Sequence, residues 1–250
     1  MYRLEICANG LLNALTAEQC GAHRIELCEN LESGGLTPSF GTLEMAAERI
    51  KIPTHVLIRP RRGNYVYDKT ERELMLRDID LVRRLGLAGV VIGALDHNGS
   101  IDLETLKVLK EAAGELSVTF HRAIDVCMAP EKAIESLIRL GIPRLLTSGG
   151  APTAYEGISR IAAWQQSFGQ HIAIMAGSGI NNGNALEIIK KTGVREIHTS
   201  AKTLLQPVQH QYLQPSEPSH EWWHYGIDEQ EIHKIRSMLD ELSAPNPPQP

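Results

Sequence analysis

Apolar residues follow two alternating rhythms along the 250-residue chain. Short apolar, often β-branched runs predict strands at 2–7, 23–28, 54–59, 89–93, 116–121, 143–147, 172–176 and 195–199. Between them a helical period predicts helices near 11–20, 40–50, 70–85, 103–113, 130–140, 153–168 and 182–191, with a last one over 228–242. Eight strands alternating with eight helices predict an α/β fold, a (β/α)8 TIM barrel with an irregular C-terminal extension. A doubly wound open sheet is the alternative. Residues 1–243 read as one barrel domain, and 244–250, rich in proline, as a disordered tail.

An internal repeat favours the barrel. Gly21 to Cys28 recurs in form as Gly86 to Gly93, Gly141 to Ser148 and Gly193 to Ser200. Each unit joins a helix end, a glycine suited to a left-handed cap and a strand. These glycines precede the second, fourth, sixth and eighth strands, as a closed repeating barrel requires.

Strand side chains alternate between faces. Arg3, Glu5 and Cys7 oppose Leu4 and Ile6; Arg24, Glu26 and Cys28 oppose Ile25 and Leu27; Glu196, His198 and Ser200 oppose Ile197 and Thr199. Helices pack on the apolar face, so the charged sets point into the barrel. Buried charges are costly unless paired, and Glu5, Arg24 and Glu26 are therefore expected to form a network. Such a network can simply fill the barrel. The residues nearer the C-terminal ends of the strands, Cys7, Cys28, Arg59, Arg61, His121, Ser148 and His198, are the better functional candidates, because parallel barrels carry their sites there.

One stretch concentrates that chemistry. Ser117-Val118-Thr119-Phe120 reads as a buried strand, and His121, Arg122 and Asp125 follow before helical spacing resumes at Pro130. The bland reading is a buried histidine beside a structural Arg–Asp pair. Two glycine turns complete the rim, Thr147-Ser148-Gly149-Gly150 and Ala176-Gly177-Ser178-Gly179. Their N–H groups, with Ser200 beside them and the start of a helix near Asn181, are expected to hold an anion such as phosphate. Glycines that merely permit tight turns are the alternative.

Composition narrows the classes. Hydrophobic residues make up 42% and charged residues 22%, values typical of a water-soluble globular domain. A net charge of −5 without a basic run argues against nucleic acid. No apolar segment is long enough to span a bilayer, and the first residues read as a strand rather than a signal peptide. Four cysteines, Cys7, Cys20, Cys28 and Cys127, form no CxxC motif, which suggests a reduced, cytoplasmic setting. His220-Glu221-Trp222-Trp223-His224 spells HExxH, but Pro215, Pro218 and Gly226 argue against the helix that zinc-protease chemistry needs. Trp222 and Trp223 read instead as a cover for the barrel or a neighbouring subunit.

Several strings together resemble the copper homeostasis protein CutC family: Arg24-Ile25-Glu26-Leu27-Cys28 before Gly34-Gly35-Leu36-Thr37-Pro38-Ser39, Ile58-Arg59-Pro60-Arg61, Thr119-Phe120-His121-Arg122-Ala123 and Leu146-Thr147-Ser148-Gly149. The resemblance runs from Met1 to about Ser200. Asn64 stands where an aspartate is expected, and Ser178 where glycine or alanine is. The resemblance implies a TIM barrel, a cytoplasmic location and copper handling through Cys7 and Cys28. Those two cysteines are expected at matching positions on neighbouring strands, roughly 4.8 Å apart, a spacing that suits Cu(I) and its soft sulfur ligands. Space-filling cysteines are the plainer reading.

Two functions therefore stand. One is a Cu(I)-binding protein. The other is an enzyme on a small anionic or phosphorylated metabolite, with Glu5, Glu26 or His121 moving a proton. Arg24, Arg59, Arg61, Arg122, Asp125, Ser148, Gly149, Gly177, Ser178, Gly179, His198 and Ser200 would then hold the substrate. The expected partner is a copper ion or that metabolite, and a homodimer is the assembly allowed for.

Overall fold

The computed structural model describes residues 2–205 and 224–244. Eight parallel strands close into a barrel in sequence order: β1 (Arg3–Asn9), β2 (Arg24–Cys28), β3 (Thr54–Leu57), β4 (Gly89–Ile92), β5 (Ser117–Phe120), β6 (Arg144–Thr147), β7 (Ala173–Gly177) and β8 (Glu196–Thr199). Around them lie α1 (Leu11–Gln19), α2 (Phe40–Arg49), α3 (Lys69–Arg84), α4 (Leu103–Ala113), α5 (Pro130–Arg139), α6 (Ile158–Phe168), α7 (Ala185–Thr192) and α8 (Glu229–Ser243). The barrel is closed, so the open-sheet alternative is excluded.

Local signals account for most boundaries. In α3, Asp68 and Glu71 form a reciprocal capping box, and Met75, Ile79 and Val82 turn inward at helical spacing. Pro130 opens α5, where its missing N–H has no intrahelical role. The repeat glycines Gly21, Gly86, Gly141 and Gly193 all have positive φ, between 69° and 90°.

Two helices begin later than their periodicity suggests. Thr153 Oγ1 accepts the Glu156 N–H and holds a turn, so α6 starts at Ile158. Before α7, Asn184 Oδ1 accepts the Asn181 N–H and Asn181 Oδ1 accepts the Gly183 N–H. These side chains offer the backbone an alternative to helix. The helix N-terminus expected near Asn181 therefore lies at Ala185, with its N-cap Asn184 donating through Nδ2 to Gly179 O at 2.9 Å.

The C-terminal extension is partly regular. Strands β9 (Lys202–Leu205) and β10 (His224–Ile227) pair antiparallel as a small separate sheet. The segment 206–223 between them lies outside the described residues, as do most of the HExxH string, Trp222 and Trp223, and positions 245–250. Among the described residues no helix is long and apolar enough to cross a membrane.

The barrel interior is built in layers of four side chains from alternate strands, as its stagger requires. The strand register gives Arg24, Gly89, Arg144 and Glu196 at the bottom, then Glu5, His55, Thr119 and Met175. Above them come Glu26, Val91, Leu146 and His198, and then Cys7, Leu57 and Gly177. Polar groups thus run from floor to mouth on the β8–β1–β2 side.

Candidate active site and metal centre

At the floor, Arg24 joins two carboxylates. Its Nε donates to Glu5 Oε2, and its Nη2 reaches Glu196 Oε2 at 2.6 Å. Arg144 Nε donates to the same Glu196 oxygen at 2.8 Å. One layer higher, His198 Nδ1 lies 2.8 Å from Glu5 Oε1 and its Nε2 3.6 Å from Glu26 Oε2. The expected Glu5–Arg24 pair is therefore present, extended by Glu196 and Arg144, whereas Glu26 meets neither directly and connects only through His198.

Environment separates the two acids. Burial alone would raise the Glu5 carboxyl, but Arg24 and His198 prevail and hold it far below the usual carboxylate range. Glu26 is raised, first by burial, and its Oε1 is buried with no hydrogen-bond partner. Burial lowers His198, yet Glu26 and Glu5 outweigh it and raise the imidazole above its ordinary value. Glu5 is thus a charged partner that orients His198, while burial disfavours the ionised form of Glu26.

Cys7 and Cys28 point to the same place, with sulfurs 3.6 Å apart. They are not at matching positions. Cys7 pairs in register with Glu26, and Cys28 with Asn9. The barrel's stagger sets the Cys7 side chain between those of Glu26 and Cys28, and the sulfurs meet diagonally. The neighbouring Cys28 thiol, then burial, pushes the Cys7 thiol well up. Cys7, Glu26 and His198 each offer a ligand atom within 4.8 Å of the others. Cys20 is buried at the end of α1 and Cys127 half-buried after β5.

Above this cluster opens a cavity of about 470 Å³. Glu26, Cys7 and His198 line its depth, and Arg59, Tyr65, His121, Arg122, Asp125, Ser178, Gly179, Ser200 and Lys202 its wall and rim. The β6 turn does make an anion nest, but the chain fills it with its own carboxylate. Asp125 accepts the Ser148 N–H at 3.0 Å, the Ser148 hydroxyl at 2.9 Å, the Gly150 N–H at 3.0 Å and the Thr147 hydroxyl. Arg122 Nε reaches the same group at 2.9 Å, and the Gly149 N–H goes to Thr147 Oγ1. That turn has no donor left for a phosphate at Ser148 or Gly149.

The β7 turn differs. An added Cβ at Gly177 would approach Leu146 Cδ1 to 2.5 Å, so its glycine is a packing requirement. Ser178 takes φ of 83°, costly for a residue with a side chain, while its hydroxyl donates to Pro152 O. Gly179 follows with φ of 70°.

The two arginines after β3 part company. Arg59 is buried and donates to the carbonyls of Ser33, Gly35 and Gly63, leaving its Nε without a partner. Arg61 turns away from the cavity to Glu71 and the carbonyls of Asn64 and Val66. Asn64 accepts the Val66 N–H and thereby serves this turn.

His121 is held neutral. Burial, then nearby Arg59, lowers it to about 3. Its Nδ1 accepts the Ala123 N–H, which leaves the proton on Nε2, buried and unpartnered. The ring lies over the end of β4, where a Cβ on Gly93 would come within 3.0 Å of Nε2. Gly93→Ala is expected to cost about 1–3 kcal/mol by overpacking, read from urea denaturation. A loss below about 0.5 kcal/mol would mean the ring is free to move aside.

Sequence reasoning missed the network roles of Arg144 and Glu196, although it turned Glu196 into the barrel, and it missed Tyr65 and Lys202. For the first two a signal existed: each stands three residues after a repeat glycine, as Arg24 does. Tyr65 packs 4.8 Å from the His121 ring, centroid to centroid, from a loop without periodicity.

A sequence model of the CutC family matches residues 2–203. A CutC-named protein of Xanthomonas axonopodis pv. citri is 48% identical over 213 residues, 84% of this chain and 89% of its own. Another, from Xanthomonas campestris pv. campestris, is 50% identical over 199 residues, 80% of this chain and 83% of its own. The crystal structure of CutC from Streptococcus agalactiae, described as a copper homeostasis protein, superposes with a TM-score of 0.77 at 34% identity, covering 80% of this chain and 99% of that one. With its barrel, its motifs and these relatives in agreement, the chain belongs to the CutC family.

Proposed function

We propose that this protein binds Cu(I) in the cytoplasm through Cys7 and Cys28, with copper as its cargo. The observation that carries the reading is the 3.6 Å separation of two sulfurs, Cys7 lining an open cavity and Cys28 fully buried behind it. Soft thiolates suit Cu(I), and His198 and Glu26 each offer a ligand atom within 4.8 Å of Cys7. With the Cys7 pKa raised, the thiol keeps its proton until the metal displaces it, so binding releases protons. The copper-homeostasis name given to the Streptococcus relative accords with this reading. Cys7→Ser or Cys28→Ser is expected to weaken Cu(I) binding on the order of 100-fold, about 2.7 kcal/mol, in competition against a Cu(I) chelator. Cys20→Ser and Cys127→Ser serve as controls with unchanged affinity. Parent-like affinity in the Cys7/Cys28 double variant overturns the reading.

A second reading has its own observation. A cavity of about 470 Å³ bearing acids, imidazoles and an arginine exceeds what one ion needs. Two carboxyls with opposed pKa shifts, Glu5 down and Glu26 up, are the pattern of acid–base catalysis. In this reading the protein acts on a small anionic metabolite, Glu26 moves the proton and Glu5 orients His198.

A further inference from the structure

Two buried N–H groups in the cavity wall have no partner, Arg59 Nε and His121 Nε2. Native proteins rarely leave buried donors unpaired, and those that persist mark a ligand or water site. These two are neighbours. Arg59 follows β3 and His121 follows β5, and Gly93 directly follows β4 between them. The absent side chain at Gly93 lets the imidazole lie across β4 towards β3. Tyr65 joins the pair, with the Arg59 guanidinium 5.2 Å from its ring centre and the His121 ring 4.8 Å away.

Among the described residues, the third buried side-chain atom without a partner in this cavity is an acceptor. Glu26 Oε1 is buried deeper in the same cavity, on β2 beside His198 and Cys7. Among the buried unpartnered atoms, the donors therefore lie on the β3–β5 side and the acceptor on the side of β8, β1 and β2, where His198 and Lys202 also line the cavity. A ligand that satisfies both sides has an anionic group at one end and a hydrogen-bond donor at the other.

The kind of anion follows from the charges. Arg59 supplies one positive charge, and His121 is neutral and gives one N–H. A monoanionic, planar carboxylate matches one guanidinium N–H and one imidazole N–H. A phosphate dianion needs more donors, and the nest after β6 is already filled by Asp125.

We propose that the cavity binds a small carboxylate bearing a hydroxyl or ammonium group, its carboxylate on Arg59 Nε and His121 Nε2 and its donor on Glu26. This rests on the metabolite reading and names its substrate class.

The test is isothermal titration of the full chain with glycolate, lactate, malate and serine, and separately with inorganic phosphate. At least one of the four carboxylates is expected to bind, and His121→Phe to weaken it tenfold or more. Arg59 also holds two loops, so the second measurement leaves the protein unaltered. In the parent labelled with ¹⁵N-histidine, the His121 Nε2 resonance is expected to shift on addition of that carboxylate. Binding that leaves this resonance unmoved and survives His121→Phe overturns the assignment while the metabolite reading stands. So does binding of phosphate alone. If none of the five anions binds, the proposal and the metabolite reading fall together.

Discussion

Arg24→Met is expected to destabilise the protein by about 3–5 kcal/mol, the range for breaking a buried ion pair from one side. Arg24 donates to Glu5 and Glu196 at once and packs its Nη2 3.2 Å from Met175 Sδ. Glu5 is 1% exposed, so water cannot replace the lost guanidinium. Arg144 still reaches Glu196, and His198 still reaches Glu5. Methionine fills most of the vacated volume, which limits any cavity contribution. The cost is thus mainly that of uncompensated charge. Glu5→Gln alone removes the opposite partner, and the Arg24→Met/Glu5→Gln double variant is expected to lose less than the sum of the two. Urea denaturation of the four proteins reads the coupling. A single-variant loss near the ~1 kcal/mol of a surface pair would show that the network tolerates water.

The network also explains what the sequence disclosed and what it hid. Alternation in β1, β2 and β8 placed Glu5, Arg24 and Glu26 inside because the outer face of a barrel strand must meet helices. It placed Glu196 inside as well, and applied to the repeat it would have added Arg144, whose phase matches Arg24. Register was harder. Cys7 and Cys28 look equivalent along their strands, but the stagger that closes the barrel pairs Cys7 with Glu26. No single strand carries that information. The glycine turn after β6 misled for a different reason. Gly149 and Gly150 do take positive φ and Gly150 directs its N–H at an anion, yet the anion is Asp125, 25 residues upstream of Gly150. Turn chemistry reveals a nest; only tertiary structure reveals its occupant. Arg59 and Arg61 resemble each other in the sequence, and their separate fates depend on Glu71, the capping-box residue of α3 that draws Arg61 out of the cavity.

Acidification from pH 6.5 to pH 5 is expected to remove about 3 kcal/mol of stability through two histidines, before any offset from other groups. Burial lowers His55 to about 4 and His121 to about 3. As pH drops below the ordinary histidine value of 6.5, the unfolded chain takes up protons that the folded chain refuses. Their contribution is therefore full above pH 6.5 and is lost as pH falls towards 4 for His55 and 3 for His121. Over this interval each accounts for about 1.5 kcal/mol. His198 has the opposite sign. Its folded pKa is raised, so its contribution is complete below 6.5 and changes only above that value. Glu5, held low, loses its contribution only as pH falls through the carboxylate range. Glu26, held high, works against the histidines, its contribution growing as pH falls through its raised pKa. His121→Phe isolates one histidine from these offsets. Its stability, measured by urea denaturation at pH 6.5 and pH 5, is expected to fall by about 1.5 kcal/mol less than the parent's over the same interval. Superimposable pH profiles for the two proteins would mean that His121 titrates normally and that its Nε2 proton is not sequestered in the cavity wall.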